Sequence, residues 1–461
     1  LIDGTIDGTD GENEALVING GSGSVTVNGA IGATNPLTTI TIGSAGAGTI
    51  ELTNIGGGSA GATGAVNIGN SATTTLTLDG TVYKTGTGAT DYEAKAGNTI
   101  LLTGASPTVT TGGGDLSFST GNIVLSTAGT TTFTTGTGTG GNITVAGTID
   151  GTNSENEALV IQSGSGNVQL QGAIGATQPL TTITINSSGA GTVEVTNIGG
   201  GSAGASGATA IGNTNTGTLT LDGTVYNTGD TQTYTAATGG GNIDITGAAT
   251  FTTSADNIAF NTSGVDLAAN VAITTTTAGG GNVSFGGAIE AGNAGTQTLT
   301  IDSGSGSVTF SGAIGLTNAL GGLNVNATAG DGAGVITFSE DIGDASAGVK
   351  GVTAVGNSST AQIVFAEDTY TFDTGATTFT ATSGDNFDLT KGATTTFTTV
   401  GTDITFTTGA IALANGSNLV IDTGSGNGNI TLGEIAGTSV ETVTIDAGAG
   451  TAAHRAADNA P

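Results

Sequence analysis

Cysteine, methionine and tryptophan are absent from this sequence, and proline occurs only 4 times in 461 residues. Without cysteine the fold can use no disulfide bond. No signal peptide and no apolar run of transmembrane length is visible. A sequence without Met that starts at Leu1 is expected for a processed chain or for a fragment of a longer protein. A secreted protein whose signal has been removed would look like this.

Basic residues are also scarce. The chain has 36 Asp and Glu against 5 Lys and Arg, and its formal net charge is −31. Proteins that bind nucleic acids need Lys and Arg to displace counterions from phosphates, so a nucleic-acid partner is disfavoured. A high charge of one sign keeps a long molecule soluble by mutual repulsion, and its carboxylates are also ligands for divalent cations.

A helical period is missing as well. Gly makes up 86 residues and Thr is the other dominant type, so nearly every window of helical length contains helix breakers or β-branched residues. We therefore expect essentially no helix. Apolar residues make up 36% and aromatics 4%, which is thin for a compact globule but adequate for a narrow solenoid. Sustained alternation and a mean hydropathy of +0.17 argue against disorder.

What the sequence does contain is a repeated module, first seen from Gly20 to Ile42 as GGSGSVTVNGAIGATNPLTTITI. In Val25–Val27 and in Ile40–Ile42 every second residue is apolar, which places one face of each predicted strand in a core and Thr on the other face. A Gly-Ala-Ile corner separates the two strands. Close variants of the module lie at 164–185, 304–325 and 424–445.

Equivalent apolar residues around this module are 24 positions apart. The pairs are Ile18 and Ile42, Ile161 and Ile185, Ile301 and Val325, and Ile421 and Ile445. Two strands and a corner cannot close a core alone, so each unit must stack on its neighbours. The spacing predicts a parallel β-solenoid with coils of roughly 20–25 residues, about 19 coils in all. A chain of β-sandwich domains would need a period of roughly 100 residues instead.

The coils are grouped into longer repeats. Residues 4–83 and 147–226 have nearly the same sequence at an offset of 143, and a more diverged third copy begins near Gly287. We therefore divide the chain into super-repeat 1 (1–146), super-repeat 2 (147–286), and super-repeat 3 with a partial fourth module (287–450). Residues 451–461, TAAHRAADNAP, are predicted to be a tail or linker.

Two side-chain columns are expected from this organisation. An Asn precedes a predicted strand in successive coils, and we expect these four to share one corner: Asn98, Asn122, Asn142 and Asn167. Tyr92, Tyr234 and Tyr370 are expected to be equivalent residues of the three super-repeats, filling wider coils of the core.

Acidic loops near the start of super-repeats 1 and 2 are the candidate metal ligands. The calcium candidates are Asp7, Asp10, Glu12 and Glu14 in the first loop, and Asp150, Glu155 and Glu157 in the second. Carboxylates with nearby carbonyl groups are the ligands that calcium prefers. The competing interpretation, which the sequence favours, is that these are solvated turn residues. No tandem calcium-binding nonapeptide is present.

The segment from Gly140 to Ile185, GGNITVAGTIDGTNSENEALVIQSGSGNVQLQGAIGATQPLTTITI, resembles the repeats of large bacterial surface proteins of the filamentous-haemagglutinin-like group. The resemblance extends over most of residues 4–445. It implies a right-handed parallel β-helix, export across an outer membrane, and a role in adhesion or in a cell-surface layer or filament. It supplies no catalytic residues.

We therefore predict a non-enzymatic structural or adhesive segment of an extracellular bacterial fibre or layer, a stiff acidic solenoid that self-associates. An alternative is an adhesin module that binds glycans or a host surface. A second alternative is a polysaccharide-acting β-helix enzyme. That enzyme would need carboxylates paired with each other or with cationic groups, whereas Lys84, Lys95, Lys350, Lys391 and Arg455 are far apart and His454 lies in the tail.

Overall fold

The computed structural model describes residues 1–9, 13–136, 138, 140–152, 156–187, 189, 191–262, 264–275, 279–328, 334–384 and 386–454. These residues form strands, bridges, turns and bends, and no helix occurs among them. Accordingly, no helix that could span a membrane is found in these ranges. The prediction of an all-β protein is confirmed.

The chain divides into two compact units. Unit 1 comprises Leu1–Gly229 with Tyr234–Ala237, and unit 2 comprises Asp230–Thr233 with Thr238–Pro461. Each unit is a right-handed parallel β-solenoid, and together they make about 17 turns. The predicted fold class is therefore confirmed, although the predicted number of 19 coils is too high.

The strands of unit 1 are short and follow one another at every corner of the coil. They are β1 (Ala15–Asn19), β2 (Val25–Val27), β3 (Thr39–Gly43), β4 (Thr49–Leu52), β5 (Val66–Gly69), β6 (Thr75–Leu78), β7 (Val82–Lys84), β8 (Thr90–Glu93), β9 (Thr99–Leu102), β10 (Thr108–Thr110), β11 (Leu116–Thr120), β12 (Asn122–Leu125), β13 (Gly129–Thr134), β14 (Ile143–Val145), β15 (Ile149–Asp150), β16 (Glu157–Ser163), β17 (Val168–Leu170), β18 (Ile183–Ser187), β19 (Val193–Val195), β20 (Thr209–Gly212), β21 (Thr218–Leu221) and β22 (Val225–Asn227).

Strand β23 (Gln232–Thr235) contributes residues to both units. The strands of unit 2 are β24 (Asn242–Ile245), β25 (Thr250–Thr252), β26 (Ile258–Asn261), β27 (Gly264–Leu267), β28 (Val271–Thr274), β29 (Val283–Phe285), β30 (Ala288–Ala291), β31 (Thr298–Asp302), β32 (Val308–Phe310), β33 (Gly322–Val325), β34 (Val335–Phe338), β35 (Thr353–Val355), β36 (Gln362–Phe365), β37 (Thr369–Thr371), β38 (Thr377–Thr380), β39 (Asn386–Leu389), β40 (Thr394–Thr398), β41 (Ile404–Thr407), β42 (Ala410–Leu413), β43 (Asn418–Asp422), β44 (Ile430–Leu432), β45 (Ile435–Ala436), β46 (Val443–Asp446) and β47 (Ala452–His454).

Each sheet is built from strands of successive coils, so the sheets of a unit run along its axis. In unit 1 the sheet orders are β1-β3-β5-β8-β11-β14-β17-β19-β21, β2-β4-β6-β9-β12-β15 and β7-β10-β13-β16-β18-β20. In unit 2 they are β25-β28-β31-β33-β35-β38-β41-β44-β47, β26-β29-β32-β34-β36-β39-β42-β45, β24-β27-β30 and β37-β40-β43-β46. Neighbouring strands are parallel, so backbone hydrogen bonds join each coil to the next.

The register predicted from the module is confirmed at all four places. Ile18 pairs with Ile42, Ile161 with Ile185, Ile301 with Val325, and Ile421 with Ile445. Other coils have different lengths, from 22 residues between Phe251 and Ile273 to 30 between Val325 and Val355. Several coils are longer than 24 residues, such as those from Tyr83 to Val109 and from Val325 to Val355, so the chain makes fewer turns than predicted.

Alternation along the strands divides core from surface. Ile40 and Ile42 are 0% exposed, whereas Thr41 between them faces solvent. The Ile of the Gly-Ala-Ile corner is also buried, and Ile31 forms an isolated parallel bridge with Ile55, which in turn bridges Tyr83. Burial of each such side chain stabilises the fold by about 1.5–3 kcal/mol. The stacked apolar face thus supplies the main stabilisation of the solenoid.

A column of glycines explains the recurring G-x-[IV] pattern in unit 1. A Cβ placed on Gly114 would lie 2.2 Å from the carbonyl oxygen of Gly88, and a Cβ on Gly166 would lie 2.2 Å from that of Gly141. Gly191 meets Gly166 in the same way, at 2.2 Å. These glycines are required because successive coils touch backbone to backbone at this corner.

The asparagines lie at two corners rather than one, so the predicted single column is wrong. Asn98 precedes β9 and Asn122 is the first residue of β12 in the same sheet, where the Asn122 N–H donates to the Asn98 carbonyl at 2.7 Å. Asn142 and Asn167 precede β14 and β17 of another, and the Asn142 Oδ1 accepts the Asn167 N–H at 2.9 Å. In the second pair the side-chain amide oxygen accepts a backbone N–H of the next coil. Any corner that precedes a strand can offer such an N–H.

All 5 Tyr and 13 Phe side chains are buried, as expected for residues that fill the core. The predicted equivalence of Tyr370 with Tyr92 and Tyr234 is wrong, however. Tyr370 bridges Ile342 just as Tyr83 bridges Ile55 and Tyr226 bridges Ile198. The equivalent residues of the three super-repeats are therefore Tyr83, Tyr226 and Tyr370.

Aromatic rings form a stack along the axis of unit 2. Phe260, Phe285, Phe310, Phe338 and Phe365 follow one another on neighbouring coils, with ring centroids 4.9, 5.6, 5.1 and 5.7 Å apart. Their interplanar angles are 6°, 9°, 5° and 10°. In-register parallel strands place identical side chains above one another, and this produces the stack.

Candidate metal centre

The predicted calcium candidates Asp7 and Asp150 act as corner acceptors. The Asp7 Oδ1 accepts the Thr34 N–H at 2.9 Å. The Asp150 Oδ1 accepts the N–H groups of Thr177 at 2.9 Å and Gln178 at 3.3 Å. Each carboxylate therefore joins its coil to the next, as the asparagines do elsewhere. Asp10, Glu12 and Glu155 lie outside the described residues.

Glu14 and Glu157 accept hydrogen bonds from residues of their own loops. The Thr9 hydroxyl donates to Glu14 and the Thr152 hydroxyl to Glu157. Glu157 is only 1% exposed, and its Oε2 also accepts the Asn156 N–H at 3.0 Å. The hydrogen bond from Thr9 lowers the pKa of Glu14. Among the described candidates the structure assembles no group of three carboxylates, and calcium at these loops stays a prediction.

Three other carboxylates do come together, in unit 2. Carboxylate oxygens of Asp341, Glu367 and Asp368 all lie within 4.8 Å of one another, and we call these three residues the acidic corner. It is the only such group of His, Cys, Asp or Glu found in the described ranges. Asp341 follows β34 by three residues, and Glu367 and Asp368 lie between β36 and β37. Neighbouring coils thus supply the two halves of the cluster.

Local contacts hold the acidic corner in place. The Asp341 Oδ1 accepts the Thr369 N–H at 3.0 Å, and the Thr369 hydroxyl donates to Asp368 at 2.9 Å. The ammonium of Lys391, on the next coil, pairs with the Glu367 carboxylate. Three carboxylates and one ammonium leave an excess of two negative charges when all are ionised.

Burial and charge both act on Asp341. Partial desolvation raises its pKa, the hydrogen bond from Thr369 opposes that rise, and the negative charges of Asp368, Glu367 and Glu340 add to it. The pKa of Lys391 is also raised, mainly by its hydrogen bond to Glu367. A hard cation with oxygen ligands, such as calcium, would relieve the repulsion among the carboxylates.

The acidic corner lies where the earlier super-repeats have neutral residues. Asn54 accepts the N–H groups of Thr81 and Val82, each at 3.0 Å, as Asp341 accepts that of Thr369. Gly80 occupies the place of Glu367, since each donates its N–H to the Tyr hydroxyl three residues later. The sequence signal was the Glu-Asp-Thr-Tyr run at 367–370, which sequence reasoning missed because it paired Tyr370 with the wrong tyrosines.

A second carboxylate pair lies on β24 and β27. Asp244 and Asp266 are in-register neighbours, and the Asn242 side-chain amide donates to both at 2.6 Å. Desolvation raises the pKa of Asp244, and the charge of Asp266 raises it further. The shared amide offsets the repulsion that two stacked carboxylates would otherwise have.

No known protein family, no curated protein and no solved structure matches this chain. The resemblance to filamentous-haemagglutinin-like proteins therefore stays a prediction based on the repeat itself.

Proposed function

We propose that this protein is a non-enzymatic structural and adhesive segment of an extracellular bacterial fibre or layer, which self-associates through its acidic surface. The observation that carries the proposal is that apolar side chains lie inside the coils and carboxylates lie at the surface. Most apolar residues and all Tyr and Phe residues are buried between coils, whereas every described carboxylate except that of Glu157 is exposed or partly exposed. Hydrogen bonds between coils resist bending and stretching, so a solenoid of this kind is a stiff element.

The acidic surface explains why assembly would depend on cations. A formal charge of −31 makes copies of the chain repel one another at low ionic strength. Divalent cations that bind carboxylates of two copies would turn this repulsion into attraction. The acidic corner is the best candidate for such a contact, because three carboxylates converge there and Asp368 is exposed.

Electron microscopy and light scattering test the proposal. The purified chain is compared in calcium, in magnesium and with a calcium chelator. We expect filaments or sheets in calcium that disperse on chelation, while dispersed monomers under every condition would refute self-association. A double variant, Asp341→Asn with Asp368→Asn, should assemble less readily, whereas Asp244→Asn with Asp266→Asn is a matched control that removes the same number of carboxylates by the same substitution elsewhere.

One observation favours the alternative of a glycan-binding adhesin. A shallow groove of about 500 Å³ in unit 1 has the polar side chains of Asn122, Thr148, Asp150, Thr177 and Gln178 in its lining. Such side chains hydrogen-bond sugar hydroxyls, although every aromatic ring that could stack on a sugar is buried. A glycan array distinguishes the two functions: binding that Asp150→Asn abolishes supports the adhesin, and no binding supports the structural role.

A further inference from the structure

Super-repeats 1 and 2 each contain one tyrosine whose buried hydroxyl joins two coils. The Tyr83 hydroxyl accepts the Gly80 N–H of its own coil at 2.7 Å and donates to the Leu52 carbonyl of the preceding coil at 2.9 Å. In super-repeat 2 the Tyr226 hydroxyl accepts the Gly223 N–H at 3.0 Å and donates to the Val195 carbonyl at 2.8 Å. The same atoms thus make the same two contacts in both copies.

An asparagine reinforces each of these tyrosines. The Asn54 Oδ1 accepts the N–H groups of Thr81 and Val82, which directly precede Tyr83. The Asn197 Oδ1 accepts those of Thr224 and Val225 at 2.9 Å each. Two side chains therefore cross the same gap between coils from opposite directions, in addition to the backbone hydrogen bonds.

The third super-repeat keeps part of this arrangement. The Tyr370 hydroxyl accepts the Glu367 N–H at 3.1 Å, and Asp341 takes the place of the asparagine. All three tyrosines are 0% exposed, and burial raises the pKa of each phenol, which therefore stays protonated and able to donate.

We propose that these tyrosine–asparagine clamps are force-bearing devices that stop the coils from separating along the axis. The inference rests on the proposed structural function, because a surface fibre or layer carries tension. A solenoid without clamps can lose coils one at a time from an end, since each coil contacts only its neighbours. Tyr83 and Tyr226 are 143 residues apart, so the clamps divide the chain into segments that resist unravelling.

The buried position makes each clamp effective. Separating the coils at Tyr83 breaks its buried hydrogen bond to the Leu52 carbonyl together with the two hydrogen bonds that Asn54 accepts, and the buried groups remain unpaired until the coil has opened. Hydrogen bonds that must break together before any solvent enters resist force better than bonds that open in sequence. A clamp thus raises the barrier to opening more than it raises the overall stability.

A neighbouring tyrosine provides a matched control. The Tyr92 ring is also 0% exposed and contacts Tyr83 edge to face, with centroids 6.4 Å apart. Its hydroxyl, however, has no hydrogen-bond partner among the described residues. Tyr→Phe at position 92 therefore removes the same atom from the same core without removing a contact between coils.

Single-molecule pulling on the full chain, held at its two ends, tests the inference. We expect Tyr83→Phe and Tyr226→Phe, singly and together, to lower the force at which segments unfold, and each to speed unfolding in denaturant about tenfold. Tyr92→Phe removes a buried hydroxyl that has no partner among the described residues, so it should neither lower the unfolding force nor speed unfolding. Unchanged forces in the clamp variants, or an equal loss in Tyr92→Phe, would overturn the inference. Pulling needs no assembly, so its outcome is independent of whether the chain forms filaments.

Discussion

In the first super-repeat, Gly80 follows β6 and touches the backbone of the preceding coil, whereas in the third super-repeat Glu367 holds the same place. A Cβ on Gly80 would lie 1.2 Å from the Thr53 carbonyl oxygen, which no side chain can tolerate. In the first super-repeat, β4 ends at Leu52 and the bridging Ile55 follows three positions later. In the third, β34 ends at Phe338 and the bridging Ile342 follows four positions later. The corner with the additional residue is the one that has room for the Glu367 side chain.

The two corners show how a repeat can acquire charged surface residues while it keeps the same hydrogen bonds between coils. In both corners an Asn or Asp oxygen accepts N–H groups from the next coil, and a buried tyrosine accepts the N–H three residues before it. Once there is room for Glu367, its carboxylate joins those of Asp341 and Asp368. The inner face sets the fold, and a corner can vary where its backbone leaves room for a side chain.

Gly80→Ala is expected to have the largest effect, because its Cβ would overlap the Thr53 carbonyl. We expect a loss of about 3–5 kcal/mol in the free energy of unfolding, measured by urea denaturation. Gly58→Ala is the control, since nothing lies within 4 Å of its Cβ, and it should change the free energy by less than about 0.5 kcal/mol. Equal effects at the two sites would show that the corner is not closely packed.

Asn54→Ala and Asp341→Asn should change the free energy of unfolding by different amounts or in opposite directions. The first leaves the N–H groups of Thr81 and Val82 without an acceptor and should cost about 1–3 kcal/mol. The second keeps an oxygen acceptor for Thr369 and removes repulsion from Glu367 and Asp368, so it should be neutral or stabilising. Hydrogen exchange at the amides of Thr81 and Thr369 reports each corner separately. A large loss of protection at Thr369 would contradict this account.

The pH dependence of the two corners should also differ. The pKa of Asp341 is raised above its ordinary value of 3.8, so the folded state holds this proton more tightly than the unfolded state. Its contribution to stability is present below pH 3.8 and is lost as the pH rises through the higher folded pKa. Carboxyl NMR titration should place Asp341 above 3.8, and Asp341→Asn should remove this loss. A value at or below 3.8 would show that desolvation and repulsion do not dominate.

Lys391→Gln is expected to have the smallest effect, near the limit of measurement. Lys391 and Glu367 form a partly exposed ion pair, which solvent and salt screen. The pKa of Lys391 is raised, so the contribution of the pair is present below 10.5 and is lost as the pH rises through the folded value. Urea denaturation at low and high salt should show a small loss that salt removes. A loss insensitive to salt would mean that the aliphatic chain, rather than the charge, matters.

The sequence predicted the fold well where the inner face alternates. The pairing of Ile18 with Ile42 follows from the module, because a one-residue slip would turn every apolar side chain outward. Coil length was less predictable, since the 30-residue coil from Val325 to Val355 contains extra residues that carry no periodic signal. The two asparagine columns were merged for the same reason: an Asn before a strand does not reveal which sheet that strand joins.

The acidic corner was not predicted, although its residues are plain in the sequence. Asp341 is separated from Glu367 and Asp368 by one coil, and finding the cluster requires the register of the most diverged super-repeat. The predicted acidic loops, by contrast, are dense in sequence, yet the carboxylates of Asp7 and Asp150 are used by the backbone of the next coil. Carboxylates that are close together in the sequence therefore need not be close in space when the fold is built from stacked coils.

Disulfide trapping tests the central claim, in-register stacking of parallel coils, most directly. The natural chain has no cysteine, so any disulfide must come from introduced residues. Thr41 and Asn67 are paired neighbours on outward positions, and Asp91 lies one coil further on. Adjacent strands are about 4.8 Å apart, within reach of a disulfide, and strands two coils apart are not. Thr41→Cys with Asn67→Cys should cross-link under mild oxidation, and Thr41→Cys with Asp91→Cys should not; the reverse pattern, or equal cross-linking, would contradict the stacked solenoid.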